Sequence, residues 1–199
     1  HKGERRWEII DMIKTERLEL RPVELSYAPM LLPIWTDEEV VRNTYVRDVH
    51  DEEGCKQRIE YMMRVSLSRK DIGPFAIFTG QNLIGIVGAC RESPVEFGLF
   101  YHLAKKYWGH GYATEAAKAV LQAAFQVPEI VRVSAEALTT NAASAKVLEK
   151  AGMKLEGCLR MKFFRNGVHG DLNTYSILRS EYFSKVAFDD VPQQSFLGK

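Results

Sequence analysis

Apolar and polar residues alternate over several short stretches of the chain, a pattern typical of strands with one buried face. The first such stretch is 13–23. Residues 83–91 are almost wholly apolar, which predicts a strand buried on both faces at the centre of a sheet. Asn166-Gly167 is a strong signal for a tight hairpin turn. The remaining predicted strands are 75–79, 96–103, 131–138 and 172–178.

Apolar residues at three-to-four spacing predict helices between these strands. Residues 51–68 begin with acidic side chains, which suit the positive end of a helix, and carry Ile59 and Met62 on one face. Residues 25–44 predict one or two short helices interrupted near Pro33, because proline lacks the N–H that an interior helical position needs. The other predicted helices are one that follows residue 112 and closes at Pro128, 142–151, and a short one at 181–188.

The predicted helix between strands 96–103 and 131–138 acts as a crossover connection. Strands joined in this way lie parallel to each other in one sheet, and the connection is almost always right-handed. We therefore expect these two strands to be parallel neighbours, and they are candidates for a pair that splays at one end to admit a ligand.

Composition and charge limit the kinds of partner. With 199 residues, of which 46% are hydrophobic and 27% charged, the chain is typical of a single globular domain. A formal net charge of +1 gives no electrostatic reason to expect nucleic acid or an anionic membrane as the main partner. No apolar run approaches the ~20 residues that cross a bilayer, so we expect no membrane association.

Cysteine and histidine usage predicts a reduced, metal-free protein. Cys55, Cys90 and Cys158 are odd in number and far apart, which favours free thiols in a cytosolic protein. The five histidines include no pair at metal-ligand spacing, so no metal is expected. The charged N-terminus is unlike a signal peptide, and a cytoplasmic location follows.

Two glycines mark a candidate phosphate site at the junction of strand 96–103 and the helix that follows it. A helix start has unpartnered N–H groups and a partial positive charge, and Gly109 and Gly111 allow an oxygen to approach the main chain closely. The alternative is an ordinary loop with two turn glycines. A P-loop is excluded because the chain has no G-x-x-x-x-G-K-[ST], and the dinucleotide fingerprint fits poorly because Thr114 occupies its third glycine position.

Three motifs together resemble the GNAT acetyltransferase superfamily. The W-G-H-G-Y-A segment starting at Trp108 resembles its acyl-coenzyme A pyrophosphate loop, Q/R-x-x-G-x-G/A, although Trp108 stands where Gln or Arg is usual. The longer phrase W-G-H-G-Y-A-T-E-A is similar to the Rim-type branch, whose best-known members acetylate N-termini of ribosomal proteins. Asn141 begins N-x-x-S-x-x-V-L-E-K-x-G, and Asp171 begins D-x-x-x-Y-S-I-L, which are the second and third matches.

The resemblance implies a single-domain α/β (α+β) fold with a mixed central sheet of about seven strands, splayed between the fourth and fifth, and helices on both faces. It implies an acetyl-CoA-binding N-acetyltransferase domain over residues 13–180, with terminal extensions at 1–12 and 187–199. The implied reaction is acetyl transfer from acetyl-CoA, as co-substrate, to a primary amine by direct attack in a ternary complex. A non-catalytic coenzyme A-binding or regulatory module is the alternative, and a nicotinamide-dependent oxidoreductase is a more distant one.

The resemblance also implies the site residues. Backbone groups of strand residues would hold the pantetheine arm, the glycine loop would hold the pyrophosphate, and Asn141 and Ser144 would lie near the arm and the thiol. Asn141 also has a purely structural reading as a helix cap. The cofactor-binding residues expected on this basis are Tyr101, His102, Leu103, Trp108, Gly109, His110, Gly111, Tyr112, Ala113, Thr114, Asn141 and Ser144.

Two residues are predicted to be catalytic. Glu96, on the strand that leads into the loop, is the first candidate for the general base, although alternation also allows it to face solvent. Ser144 is predicted to stabilise the leaving thiolate. Glu136 and Asp171 are reserves for the base, and His102 is a further possibility with an ordinary pKa near ~6.5. A carboxylate at Glu115, in the first helical turn, is expected for dipole reasons alone.

The acceptor stays open at the level of sequence. A protein N-terminal α-amine demands less of the base than lysine does, because its lower pKa leaves more of it neutral. A polyamine, an amino sugar or a drug fits the same chemistry. Trp35, Tyr45, Tyr61 and Met62 lie in the region that the resemblance places over the acceptor pocket, and the alternative is plain core packing. Both a monomer and a homodimer are compatible with the sequence.

Overall fold

The computed structural model describes residues 10–165 and 167–189. These residues form one eight-stranded sheet with the order β1-β2-β3-β4-β5-β6-β8-β7. The strands are β1 (Ile13–Lys14), β2 (Glu19–Pro22), β3 (Ile72–Thr79), β4 (Asn82–Ser93), β5 (Glu96–Leu103), β6 (Arg132–Leu138), β7 (Lys154–Arg165) and β8 (Val168–Leu178). The helices are α1 (Ala28–Trp35), α2 (Glu38–Val41), α3 (Glu52–Arg69), α4 (Tyr112–Phe125), α5 (Ala142–Lys150) and α6 (Arg179–Asp189), with single 3-10 turns at Leu25–Tyr27 and Lys105–Tyr107.

The mixed α/β fold is confirmed, and the strand count differs at the N-terminal end. The predicted single strand at 13–23 is a hairpin of β1 and β2. Between them the backbone N–H of Thr15 donates to the carbonyl of Leu18 at 2.9 Å, and the Leu18 N–H donates to the Thr15 hydroxyl at 3.0 Å. This turn satisfies polar groups locally, which alternation alone does not reveal.

The helical region 25–44 is interrupted as predicted, but the break does not lie at Pro33. Pro33 lies inside α1, which continues to Trp35. The break comes at Asp37, whose side chain accepts from the Glu39 N–H at 2.9 Å and so starts α2. A proline removes one helical hydrogen bond, whereas a capping carboxylate favours a new helix start.

Two apolar cores cover the two faces of the sheet. One lies under α4 and α5 and includes Val87, Phe97, Val120 and Ile177. The other lies under α1 and α3 and includes Leu31, Trp35, Ile59 and Ile86. Strand β4 contributes to both cores, with Val87 and Ile86 facing opposite ways, so the predicted central strand is confirmed.

The parallel pair predicted from the crossover is β5 and β6, and every other strand pairing in the described chain is antiparallel. Their pairing runs only from Glu96↔Arg132 to Leu99↔Ala135. Beyond it, β5 continues to Leu103 along β4, and β6 continues to Leu138 along β8. The sheet is therefore splayed between the two strands predicted as fourth and fifth.

The predicted domain of residues 13–180 spans all eight strands, and α6 extends beyond it to Asp189. The predicted extensions, 1–12 and 187–199, lie largely outside the described residues, as does Asn166 of the predicted turn. Of the described helices, none has the length and apolar character needed to cross a membrane.

Candidate active site

The loop between β5 and α4 has the conformation that its two glycines predict. Gly109 has φ 77° and Gly111 has φ 78°, both in the left-handed region that side chains with a Cβ rarely adopt. Gly111 is the N-cap that immediately precedes α4, and no side chain caps the helix there. A Cβ on Gly109 would have no neighbour within 4 Å, so the loop surface is open at this point.

The backbone N–H groups from Gly109 to Thr114 have no hydrogen-bond acceptor among the described residues. The first internal bond of α4 runs from the Glu115 N–H to the Gly111 carbonyl at 3.1 Å. Six consecutive amides, the last of them at a helix N-terminus, therefore point to solvent with a partial positive charge. This is the geometry of an anion site.

An ion-pair network fixes this loop to the start of the sheet. The Glu115 carboxylate accepts from the Thr15 hydroxyl at 2.6 Å, the Arg17 backbone N–H at 2.8 Å and Arg17 Nε at 2.7 Å. Arg17 also donates to the His110 carbonyl at 2.8 Å and lies 4.5 Å from the centre of the Tyr112 ring. Burial pushes the pKa of Glu115 up, but hydrogen bonds from Thr15 and Arg17 hold it below its usual range overall. Glu115 is thus a structural anion.

Trp108 attaches the other end of the loop to β5. Its indole Nε1 donates to the Leu103 carbonyl at 2.9 Å. A polar donor therefore occupies the motif position where Gln or Arg is usual, although it binds the protein's own main chain. His110 Nδ1 lies 2.7 Å from the Trp108 carbonyl oxygen, and its ring stacks on Tyr112. Of the predicted loop residues, His110 is the one whose side chain does not line the cleft.

The unpaired end of β5 presents main-chain groups to the gap. The Ala104 N–H donates to the Ile84 carbonyl at 2.8 Å, which sets which residues of β5 face β4. Because N–H and C=O directions alternate along a strand, His102 faces β4, whereas Tyr101 and Leu103 face the gap towards β6. Tyr101 and Leu103 are therefore the residues placed to bind an amide chain as an added strand.

The imidazole of His102 is buried and already accepts a hydrogen bond from a neighbouring side chain. The Trp35 indole donates to His102 Nε2 at 2.8 Å, so this nitrogen accepts and carries no proton. Burial, and then the positive charge of Arg58, lower the pKa of His102 to about 4. A neutral imidazole whose lone pair already accepts a hydrogen bond is a poor proton acceptor at neutral pH, so the structure argues against His102 as general base.

Ser144 lies at the opposite side of the gap and contacts β5. Its Oγ is 2.8 Å from the Tyr101 hydroxyl, and its backbone N–H donates to Asn141 Oδ1 at 3.1 Å. Asn141 is therefore a helix cap, and its side-chain NH₂ has no partner within the described chain. Burial is the main influence on Tyr101 and raises its pKa to about 12, so its phenol keeps its proton.

The two acidic candidates on the sheet differ in their partners. Glu96 accepts from Arg132 Nε at 2.9 Å, and Arg132 also donates to Glu156 at 2.7 Å. Glu136 has no hydrogen bond or ion pair with any described residue, and its charge raises the pKa of nearby Tyr45 less than burial does. Glu136 is the first residue of β6 past the last pair with β5, so it stands at the mouth of the gap.

A continuous cleft of about 1010 Å³ joins these groups. It is lined on one side by the loop, Asn141 and Ser144, and on the other by Glu96, Glu136 and the inner face of α3. The four residues predicted for the acceptor pocket, Trp35, Tyr45, Tyr61 and Met62, all line it as well, although Trp35 is also part of the core. The volume accommodates a coenzyme arm and a small acceptor together.

Sequence reasoning missed two contributions to this site. Arg17, which holds the loop, lies 98 residues before Glu115 and has no motif around it. The side chain of Tyr101, which meets Ser144 across the gap, was expected to contribute only its main chain. Alternation along β5 could have predicted the role of the Tyr101 side chain, because Tyr101 shares a face with Leu99 and Leu103 and so points towards α5.

Comparison with known proteins places this geometry in a family. A family model described as an acetyltransferase (GNAT) domain matches residues 17–154. The Bacillus subtilis (strain 168) protein YjcK, described as a probable N-acetyltransferase, is 31% identical over 180 residues, which cover 85% of this chain and 98% of YjcK.

Solved structures show the same fold. A GNAT-family acetyltransferase from Bacillus anthracis superposes with a TM-score of 0.74 at 25% identity, covering 85% of this chain and 99% of that one. RimL, the ribosomal L7/L12 α-N-protein acetyltransferase, in complex with coenzyme A, superposes with a TM-score of 0.76 at 20% identity, covering 84% of this chain and 97% of RimL.

The Arg17 network predicts an effect on coenzyme binding. Changing Arg17 to Gln removes the guanidinium bonds to Glu115 and to the His110 carbonyl, so the amides lose their fixed orientation. We expect the Kd for coenzyme A, measured by calorimetry, to rise roughly 3- to 10-fold. Arg21→Gln is the matched control, because Arg21 pairs with Glu19 on β2 and does not touch the loop. An unchanged Kd in the Arg17 variant, or an equal rise in both, contradicts this role.

The buried imidazole predicts an acid-sensitive stability. His102 has a folded pKa of about 4, below the ~6.5 of an unfolded chain, so the unfolded state binds the proton more readily. Its contribution is fully present above pH ~6.5 and is lost as the pH falls towards 4, up to ~3 kcal/mol. His102→Gln, which keeps an acceptor for Trp35, should flatten this part of the denaturant-unfolding profile. Exposed His50→Gln is the control, and equal acid slopes in all three proteins would refute the assignment.

Proposed function

The chain belongs to the GNAT acetyltransferase family and is an N-acetyltransferase that uses acetyl-CoA, and we propose that its acceptor amine attacks the thioester directly in a ternary complex. The observation that supports acetyl-CoA binding is the run of six backbone N–H groups, from Gly109 to Thr114, that have no acceptor among the described residues. A diphosphate there satisfies the helix start and directs the pantetheine arm along Tyr101 and Leu103 into the gap.

A protein N-terminal α-amine is the acceptor that we propose first. With a pKa of ~7.8 it is about one-tenth neutral at pH 7, whereas lysine at ~10.4 is neutral in well under a thousandth of molecules. A site whose acid–base groups are carboxylates, with no metal ligand cluster among the described residues, has modest means to deprotonate an amine. RimL, whose described acceptor is a ribosomal protein N-terminus, has the same fold and supports this choice.

Direct attack is favoured over an acetylated enzyme. The cleft is continuous from the loop to the acceptor side, so both substrates fit in it at once. Cys90 lines the cleft, but burial, followed by the charge of Asp71, raises the pKa of its thiol to about 11. A thiol with this pKa is almost wholly protonated at neutral pH and is a weak nucleophile.

We propose Glu136 as the general base, acting on the amine through a water molecule. It stands where the strands part, and no cation holds its carboxylate. Glu96, the residue predicted from sequence, lies on the same face but in the first pair of the ladder, away from the point where the strands part, and is held by Arg132. An ion-paired carboxylate gives up its partner when it takes a proton, which makes it the weaker base.

Ser144 is proposed to stabilise the leaving thiolate, as the sequence predicted, with Tyr101 behind it. Their hydroxyls are 2.8 Å apart, so the serine can donate towards the sulfur while its oxygen accepts from the tyrosine. The raised pKa of Tyr101 keeps that phenol a donor over the physiological range. A base and an acid on opposite sides of the gap favour an active enzyme over a coenzyme-binding module.

The compartment and the assembly state also belong to this proposal. Cys55, Cys90 and Cys158 are all free thiols, which supports the cytoplasm. A monomer or a homodimer is proposed, with no nucleic acid partner because the net charge is close to zero.

Binding and turnover measured together test the proposal. We expect calorimetry to show one acetyl-CoA per chain, and a thiol-release assay to show turnover with peptides that have a free α-amine. The same peptides with a blocked N-terminus are the control and should release no thiol. Acetyl-CoA binding without release on a panel of peptides, polyamines and amino sugars would favour the non-catalytic module, and binding of NADH in place of acetyl-CoA would contradict the coenzyme assignment.

The base assignment makes a separate prediction. Glu136→Gln should lower kcat/KM roughly 100-fold and remove the acidic limb of its pH profile, with the Kd for acetyl-CoA unchanged. Glu96→Gln should lower kcat/KM by less than about 3-fold, since it removes an ion pair and no proton acceptor. The reverse order of the two variants would assign the base to Glu96.

A further inference from the structure

One face of α3 forms a wall of the cleft on the acceptor side. The residues that line the cleft recur at helical spacing, so the whole length of this face is turned to the gap. They are Arg58, Tyr61, Met62, Val65, Ser66 and Arg69. The face therefore carries two arginines, one near each end.

The two arginines differ in their partners. Arg69 donates to the Asp71 carboxylate at 2.7 Å, and Asp71 is almost completely buried, with 3% of its side chain exposed. Arg58 has no hydrogen bond or ion pair with any described residue, and its Nε is a buried donor without an acceptor. Its guanidinium carbon lies 5.9 Å from the centre of the Tyr61 ring. Arg69 therefore has an acidic partner, and Arg58 has none among the described residues.

The surroundings of Arg58 leave its charge uncompensated. The ionisable groups that act on it are the Tyr61 phenol and Arg47, which has the same charge as Arg58. Its other ionisable neighbour is His102, which is neutral because burial and Arg58 itself lower its pKa to about 4. Desolvation lowers the pKa of Arg58, but the guanidinium stays charged at neutral pH. A cation whose Nε is buried without an acceptor is unfavourable unless an anion joins it.

The coenzyme does not supply that anion through its diphosphate. The amides at the start of α4 belong to the face of the sheet that α4 and α5 cover, whereas α3 covers the opposite face. Arg58 lies on the acceptor side, beside Trp35 and His102. The group that meets Arg58 therefore belongs to the acceptor.

We propose that Arg58 binds an oxyanion of the acceptor, a carboxylate or a phosphate, so that the substrate is an amine carrying a negative charge. This rests on the proposed N-acetyltransferase function and narrows its substrate class. A guanidinium presents a planar pair of donors that matches either oxyanion, and a charge-assisted pair of this kind strengthens in a desolvated cleft. Polyamines and amino sugars, which are cationic, are disfavoured by the same charge.

Matched acceptors test the proposal. Each amine is assayed with and without its anion: an amino acid against its amide, phosphoethanolamine against ethanolamine, and a peptide with Asp at its second position against the same peptide with Asn. We expect the wild type to prefer the anionic member in at least one pair, and that pair identifies the source of the oxyanion. Arg58→Gln should raise KM for the anionic member roughly 10- to 100-fold and leave the neutral member within about 2-fold.

The control is Arg64→Gln. Arg64 is exposed on the same helix and lies 5.9 Å from the same Tyr61 ring, but it does not line the cleft. The Arg64→Gln substitution removes the same charge as Arg58→Gln and should leave the preference for the anionic acceptor unchanged. Arg58→Lys keeps the positive charge and should retain part of the preference for the anionic acceptor. A wild type that turns over both members of every pair equally, or a preference that survives Arg58→Gln, overturns the oxyanion site and leaves the acetyltransferase function standing.

A binding measurement decides the point without turnover. With coenzyme A saturating, so that the loop amides are occupied, millimolar inorganic phosphate should raise the Tm of the wild type and of Arg64→Gln, and should not raise that of Arg58→Gln. Arg58→Met should leave the Tm of the free protein unchanged or raise it, because the arginine has no partner to lose. A lower Tm in Arg58→Met, or an equal phosphate effect in all variants, shows a structural arginine and refutes the proposal. Failure of every acceptor in the panel, with phosphate binding intact, counts against the function and not against the site.

Discussion

Four residue pairs, from Glu96↔Arg132 to Leu99↔Ala135, hold β5 against β6, and beyond them the strands follow different neighbours. Strand pairing normally satisfies both sides of a central strand, so this early end leaves main-chain groups of Tyr101 and Leu103 without a strand partner. It also opens a passage between the two faces of the sheet, each covered by its own core. Because these few hydrogen bonds are missing, the glycine loop before α4 and the face of α3 line one continuous cleft.

The free protein holds several polar groups ready for a ligand. Six amides at the start of α4 and the Nε of Arg58 have no partner in the described chain. The amides cost little while water solvates them, whereas the Nε of Arg58 is buried and water does not reach it. Ligands that bind the loop amides or Arg58 bind only the folded state, so they stabilise the folded state by mass action. The network of Arg17 and Glu115 keeps the amides aligned before the ligand arrives, which lowers the ordering cost of binding.

Features that depend on neighbours in sequence were predictable, and features that depend on distant partners were not. The left-handed glycines at 109 and 111, the Asn141 cap and the parallel β5 and β6 all follow from local signals or from connection rules. The hairpin at Thr15 and the helix break at Asp37 were not predicted, because side-chain hydrogen bonds determine them and hydrophobic periodicity does not. Contacts such as that of Tyr101 with Ser144, 43 residues apart, exist only in the folded chain.

The choice of base shows the same limit at the level of one side chain. Glu96 and Glu136 lie on the same face of the sheet, by alternation and by the register of the parallel pair. Sequence therefore allows both to face the cleft, and both do. What separates them is that Arg132, opposite Glu96 in the ladder, binds its carboxylate, while Glu136 lies beyond the ladder, where no strand partner from β5 reaches. The end of the pairing thus separates a carboxylate that has a cation beside it from one that has none among the described residues.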